Sequence, residues 1–307
     1  MTGNPRPEPF MFTPELFAQA LIAGIVIGVI YALMALGITF IYSIVKMINW
    51  SMGEFYMIGS YVQYFVVVWL LGPDLWYVAA LLSAAVVFLV GFLLEPVLIR
   101  PMFTGGIERK DDYATVVTIA LLLLLRNLAT ALSGPYQRTP GNSLATINLG
   151  PLPENGARFA ACICALAAIA LFYLLLKRTW LGLALRAASQ SRVGAQTAGV
   201  DVLSLDKVAF GIGVGLAGLA GALLAPVFMV YPTNGVVTTT KGFEIIVIGG
   251  LGSIPGALIA GILLGVAESL GSTFIASAYQ NAYGFMLLLL VLAVRPSGLF
   301  GERIRQA

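Results

Sequence analysis

Five ionisable side chains stand inside long apolar stretches of this chain: Glu54, Glu95, Arg126, Glu244 and Glu268. A charge at the centre of an apolar helix costs about 2.5–3.5 kcal/mol on insertion scales, so each needs a partner, a wet cavity or a reach to the surface. Arg126 stands 13 residues into its stretch and is followed by Asn127. At 1.5 Å per residue it sits about 20 Å from the beginning of that stretch. It can snorkel outward along its stem or form an intramembrane ion pair with a glutamate; Glu268 is the expected partner. Glu95 precedes Pro96 and is expected near an interface.

Other chemistry finds little support. The chain has no histidine, which removes the commonest base and the commonest metal ligand. Cys162 and Cys164 are two apart and face different sides of a helix, so they read as small packing residues. Gly213-Val214-Gly215-Leu216-Ala217-Gly218 matches G-x-G-x-x-G. That fingerprint needs a preceding strand and an acidic partner downstream. Here it lies in an apolar run, where small residues let membrane helices approach closely. Gly24/Gly28 and Gly261/Gly265 read the same way. A G-x-x-x-x-G-K-[ST] loop is absent, so ATP-driven work would need another subunit to hold the phosphates. No catalytic residue, no metal and no cofactor is expected.

The elements carrying these residues are apolar blocks. Of 307 residues, 59% are hydrophobic and 10% charged, against about 25% charged in soluble domains. The blocks cover 16–42, 50–71, 75–98, 113–133, 157–177, 207–230, 243–276 and 279–295. Lengths near 20 residues match a hydrocarbon core of about 30 Å. The expected fold class is all-α: a polytopic transmembrane bundle of about 8–10 crossings with interrupted helices. A polar tail (1–15) precedes a single transmembrane domain (16–307). The net charge of +3 is dispersed, which does not suggest nucleic acid.

Lys and Arg bias sets orientation. Loop 99–112 carries Arg100, Arg109 and Lys110; loop 178–206 carries Arg178, Arg186 and Arg192; the C-terminus carries Arg295, Arg303 and Arg305. All three are placed in the cytoplasm, with 72–74 and 134–156 outside. Alternation holds if 243–276 is two pieces, a short one at 243–250 and a full one near 255–275. That gives nine crossings with the N-terminus outside. A separate piece at 37–49 would make ten and move the N-terminus inside.

Two Gly-punctuated stretches stand out. One runs Ile48-Asn49-Trp50-Ser51-Met52-Gly53-Glu54, and the other Gly249-Gly250-Leu251-Gly252-Ser253-Ile254-Pro255-Gly256. Broken backbone at membrane depth must be buried in protein or line a cavity, and paired interruptions point to a substrate path. Asn49, Ser51, Gly53, Glu54, Gly249, Gly250, Gly252, Ser253 and Gly256 are therefore expected to line a pathway or act as hinges; the alternative is a pair of surface turns. Loop 178–206 has room for one or two short helices at the cytoplasmic surface, and its small residues would admit another protein.

The residues then resemble a known family. Tyr31-Ala32-Leu33-Met34-Ala35-Leu36-Gly37, Met47-Ile48-Asn49, the run Gly53 to Tyr61, Gly211 to Gly221, Gly249 to Ala257 and Arg295-Pro296-Ser297-Gly298-Leu299-Phe300-Gly301 are similar, in order and spacing, to inner-membrane permease subunits of branched-chain amino acid ABC importers, the LivH type. The resemblance covers nearly the whole chain from about residue 18. It implies a multi-pass protein of the bacterial inner membrane, a second homologous permease subunit, two cytoplasmic ATPase subunits and a periplasmic substrate-binding protein. It also implies an ATPase-coupling element like E-A-A-x-x-x-G. Val193-Gly194-Ala195-Gln196-Thr197-Ala198-Gly199 is a degenerate match, and Arg186, Ala195, Gly199 and Val200 are the expected coupling residues. Family members usually read Asn-Phe-Ala-His-Gly-Glu where this chain has Asn49-Trp50-Ser51-Met52-Gly53-Glu54. That departure leaves urea, short amides or aromatic acids open as substrates beside branched-chain amino acids. An ion-coupled secondary transporter is the rival of a different class, and it would need more mid-membrane carboxylates than this chain offers.

Overall fold

The computed structural model describes residues 13–141, 147–149, 152–154 and 156–301. Most of the polar tail, and Arg303 and Arg305, lie outside the described residues. Twelve α-helices are found among them: α1 (Pro14–Val45), α2 (Met52–Val66), α3 (Trp76–Leu98), α4 (Pro101–Thr104), α5 (Lys110–Ser133), α6 (Gly156–Arg178), α7 (Trp180–Gln190), α8 (Arg192–Thr197), α9 (Val202–Leu224), α10 (Asn234–Gly249), α11 (Ile254–Phe274) and α12 (Gln280–Val294). A small antiparallel hairpin, β1 (Ile147–Leu149) with β2 (Leu152–Glu154), precedes α6. Side chains start several helices at polar residues. Thr13, Thr179, Ser191, Asp201 and Ser253 each accept a backbone N–H of the first turn, which satisfies donors that a helix start leaves open. At Asp201 the Ser204 hydroxyl and backbone N–H hold the carboxyl below its usual range.

Eight helical segments among the described residues are long and apolar enough to cross a membrane. α10, with 16 residues, is about 24 Å long, short of a full span. It packs between α2 and α11 all the same, which brings the bundle to nine helices among the described residues. The sequence expectation of a short piece at 243–250 is corrected here, because the helix begins at Asn234. The proposed separate piece at 37–49 does not form either. α1 is continuous through Gly37, whose backbone abuts α9: a Cβ there would lie 2.3 Å from the Gly213 carbonyl oxygen. The ten-crossing alternative falls with it.

α1 is the central post. From Val26 to Ile41 nearly every residue is buried, and α11, α9, α6 and α10 pack around it. The two small-residue pairs of the sequence meet here. A Cβ on Gly24 would lie 2.9 Å from the Gly265 oxygen, and one on Gly28 would lie 2.9 Å from the Gly261 oxygen. Backbones meet that closely only where side chains are missing. By contrast α3, α5, α6 and α12 turn leucines outward: Leu93, Leu132, Leu171 and Leu289 are exposed, a face suited to acyl chains.

Contacts sort the connections into two ends. Arg138 and Val230 exchange backbone hydrogen bonds of 2.8 and 2.7 Å, joining the segment after α5 to the one after α9. Leu16, Arg158, Phe228, Thr273 and Gln280 line one cavity, so the starts of α1, α6 and α12 share that end. At the other end Arg192 of α8 reaches the Ile44 carbonyl at the foot of α1 (3.4 Å). The N-terminal end of α1 thus lies opposite loop 178–206, as nine crossings require.

Candidate translocation site

α10 is the polar helix of the bundle. Thr238, Thr239 and Thr240 donate to the carbonyls of Asn234, Gly235 and Val236 (2.9, 2.8 and 3.2 Å), satisfying their hydroxyls within the helix at membrane depth. One turn on, Lys241 forms an ion pair with Glu268 of α11, and its ammonium lies 5.4 Å from the Tyr31 ring centroid. Gln280 donates to the other Glu268 oxygen at 3.4 Å. Lys241 and Glu268 are both buried.

Two cavities meet at this pair. One of about 230 Å³ is lined by Tyr31, Tyr56, Asn234, Thr238, Lys241 and Gln280, among others. A second of about 540 Å³ has Gln19, Arg158, Glu268, Ser269, Ser272 and Gln280 in its wall. Both lie toward the end that holds the α9–α10 connection. A third, about 1170 Å³, lies at the opposite end between Tyr42, Lys46, Ser189, Gln190, Gly252 and Ser253.

The pair expected between Arg126 and Glu268 is corrected. Arg126 donates from Nε (3.2 Å) and Nη2 (2.7 Å) to Glu54 Oε1. The reason is neighbourhood: α5 touches α2, which carries Glu54, while Glu268 faces α10. Glu54 is fully buried and Arg126 is 25% exposed. Glu95, expected at an interface, is enclosed by protein near Asp206, Arg100, Lys207 and Arg192. Glu244 is buried, and its Oε2 has no hydrogen-bond partner among the described residues.

The first Gly-punctuated stretch is buried backbone. Asn49 Oδ1 accepts from the Ser51 N–H (3.0 Å) and hydroxyl (2.7 Å), turning the chain into α2. Gly53 then meets α10: a Cβ would lie 2.0 Å from the Gly235 oxygen. Asn49, Ser51, Gly53 and Glu54 are enclosed, whereas Trp50 is exposed and packs on Phe243 at 4.7 Å. The second stretch is the α10–α11 turn. Gly249 faces Gly256, and Gly252 and Ser253 border the third cavity. None of these residues lines the first two cavities.

Loop 178–206 folds as α7 and α8. Arg186 and Gly199 are exposed, Val200 is partly buried, and Ala195 is buried. Arg192 ties the unit down: it makes a two-point ion pair with Asp206 of α9 and sits 4.0 Å over the Phe103 ring of α4. Trp180, Leu183 and Val193 are large apolar side chains left exposed on this unit.

Sequence reading missed Lys241 and the cavity wall around it. The lysine lowered local hydropathy, so the apolar block was begun at 243. The available signal was Gly235, Thr239 and Gly242, small residues at helical spacing that mark a close-packed membrane helix.

The fold defines a polytopic helical membrane protein whose packed helices leave partly open cavities between them. A profile described as "Branched-chain amino acid transport system / permease component" matches residues 20–294, and the chain belongs to that family. It is 32% identical over 312 residues to the high-affinity branched-chain amino acid transport system permease protein LivH of Escherichia coli, covering 96% of this chain and 97% of that one. BraD of Pseudomonas aeruginosa, which has the same description, is also 32% identical, over 94% of this chain and 98% of its own. LivM of Escherichia coli, a permease protein of the high-affinity branched-chain system too, is 24% identical over 93% of this chain and 71% of its own. No solved structure matches the chain significantly.

Proposed function

We propose that the chain is one permease subunit of an ATP-driven importer for branched-chain or related amino acids in the bacterial inner membrane. It works with a second homologous permease, two cytoplasmic ATPases and a periplasmic binding protein. The observation that carries this reading is the α7–α8 unit. It offers exposed apolar side chains to a partner and is held to α9, α4 and α1 by Arg192. Such a unit can pass the movement of a docked motor into the bundle. Its residues Ser189 and Gln190 share the third cavity with Gly252 and Ser253, so movement there reaches the α10–α11 turn. Gly249, Gly250, Gly252, Ser253 and Gly256 act on this reading as the moving hinge. Asn49, Ser51, Gly53 and Glu54 form the fixed crossing against which α10 pivots. Branched-chain amino acids are the favoured cargo because LivH and BraD carry that description over nearly their whole length.

The test is uptake of labelled leucine into proteoliposomes holding the assembled transporter. Uptake should require the ATPase subunits and ATP, and a proton gradient alone should not replace them. Gradient-driven uptake by this chain by itself would overturn the importer reading. Replacing Gly199 strains the loop, since its φ is +86°. Val193→Asp is the cleaner probe of coupling, and it should leave the permease assembled in the membrane while lowering uptake per ATP hydrolysed.

A further inference from the structure

The Lys241–Glu268 pair is enclosed yet it is not sealed. Lys241 forms part of the wall of one cavity and Glu268 part of the wall of the other, with Phe228 and Gln280 in both walls. Lys241 is seven residues into α10, and Glu268 six residues before the end of α11. Each is therefore about 10 Å from the same end of the bundle. An ammonium carries three donors and a carboxylate several acceptor sites. One bond between them leaves capacity on both; Gln280 contacts the second Glu268 oxygen at a long 3.4 Å, and the Tyr31 hydroxyl also lies within reach of that carboxylate. Two charges at membrane depth are expensive unless paired. A purely structural pair needs no cavity beside it. A pair set between two cavities is placed to exchange partners with a guest.

We propose that Lys241 and Glu268 form the transit site for the charged ends of a zwitterionic amino acid, the carboxylate on Lys241 and the ammonium on Glu268. This rests on the importer reading for the choice of ligand and deepens it to named residues. The exchange conserves charge. In the empty site the two side chains neutralise each other, and in the occupied site each meets an opposite charge of the guest. A molecule carrying one of the two charges would break the pair and strand its other member, so the site selects zwitterions over simple acids and amines. Tyr31 and Tyr56 line the same cavity and supply apolar faces for a side chain.

The experiment measures equilibrium binding to the assembled transporter in nanodiscs, without the binding protein. The probes are leucine, 4-methylpentanoate (leucine without its amine) and 3-methylbutylamine (leucine without its carboxylate). Lys241→Gln and Glu268→Gln should each weaken leucine at least tenfold, equivalent to 1.4 kcal/mol. Glu268→Gln should also bind 4-methylpentanoate more tightly than wild type, because Lys241 then loses its bonded carboxylate. Lys241→Gln should do the same for 3-methylbutylamine. A misfolded variant cannot gain a ligand, so these gains separate recognition from damage. Wild-type leucine affinity in both variants, or loss of leucine without either gain, overturns the proposal. ATP-dependent uptake by the wild type reports on the importer reading separately. Uptake with no gains leaves that reading standing and removes only this site.

Discussion

The two Gly-punctuated stretches lie one in each half of the chain, with one glycine in the seven residues of the first and four in the eight of the second, and they solve different problems. Over residues 46–51 the backbone leaves α1 in a short non-helical segment and restarts as α2 through the Asn49–Ser51 turn. Its glycine is needed for proximity, because Gly53 lets α2 touch the backbone of α10. At residues 249–256 the chain reverses between two helices. Gly250 and Gly252 take φ of +97° and +82°, and the last carbonyls of α10 are bonded by Leu299 and Phe300 (2.8 and 3.0 Å). The first is a fixed crossing and the second a clamped turn. Glycine in a membrane sequence marks close approach or special dihedrals, and only the neighbours decide which.

Substitution separates the two jobs, with the largest effect expected at the crossing. Gly53→Leu places a side chain where the Gly235 carbonyl already stands, and backbone on both sides leaves nothing to yield. The expected outcome is no folded protein, read as loss of the monodisperse peak after detergent extraction. A monodisperse, transport-competent Gly53→Leu protein would show that this crossing is loose.

Next is the ion pair anchoring that crossing. Arg126→Leu leaves Glu54 buried without its cation, at a cost of about 3 kcal/mol. Adding Glu54→Leu should recover most of the loss. Thermal unfolding of the single and double variants checks this. Equal loss in both would mean that Arg126 contributes packing rather than charge.

How much of this was legible follows from which interactions are local. The spans, the helical reading of the G-x-G-x-x-G run, the α7–α8 helices and the small-residue pairs all depend on runs or spacings within one segment. Gly24/Gly28 and Gly261/Gly265 even proved to be each other's partners. The partner of Arg126 was not local. Glu54 and Glu268 were both buried acids, and nothing in either segment says that α5 lies beside α2. Lys241 escaped because a cation in a threonine-rich run, Thr238-Thr239-Thr240, reads as a loop when hydropathy sets the boundary. Its meaning comes from Glu268, 27 residues on.

The clamped turn should give a smaller effect than the crossing. Gly250→Ala forces a side chain into a residue of positive φ and toward Gly301, whose nitrogen would lie 2.4 Å from the new Cβ. The dihedrals, φ +97° with ψ +127°, lie outside the left-handed helical region and alone cost about 1–3 kcal/mol for a residue with a Cβ, and the C-terminal segment can withdraw to relieve the contact. Stability should fall by about 2 kcal/mol, and proteolysis after Arg295 should speed up as the clamp loosens. Wild-type protease resistance would mean that Leu299 and Phe300 hold the turn regardless of Gly250.

The smallest effect is expected where the first stretch begins. Lys46 ends α1 with φ of +59° and donates its N–H to the Tyr42 carbonyl (3.0 Å). This is the left-handed cap that glycine usually occupies, and among the described residues Lys46 is the one non-glycine with positive φ. Lys46→Gly removes the strain of the Cβ, worth about 1 kcal/mol, and gives some of it back through the greater freedom of glycine in the unfolded chain. A melting temperature at or slightly above wild type is expected. Lys46 also borders the third cavity, so the same variant asks why a strained lysine stands there. Unchanged stability with lower uptake per ATP would assign the side chain to the docking face. Unchanged stability with unchanged uptake would leave its charge to orientation alone, as one more positive residue at the end that carries loop 178–206.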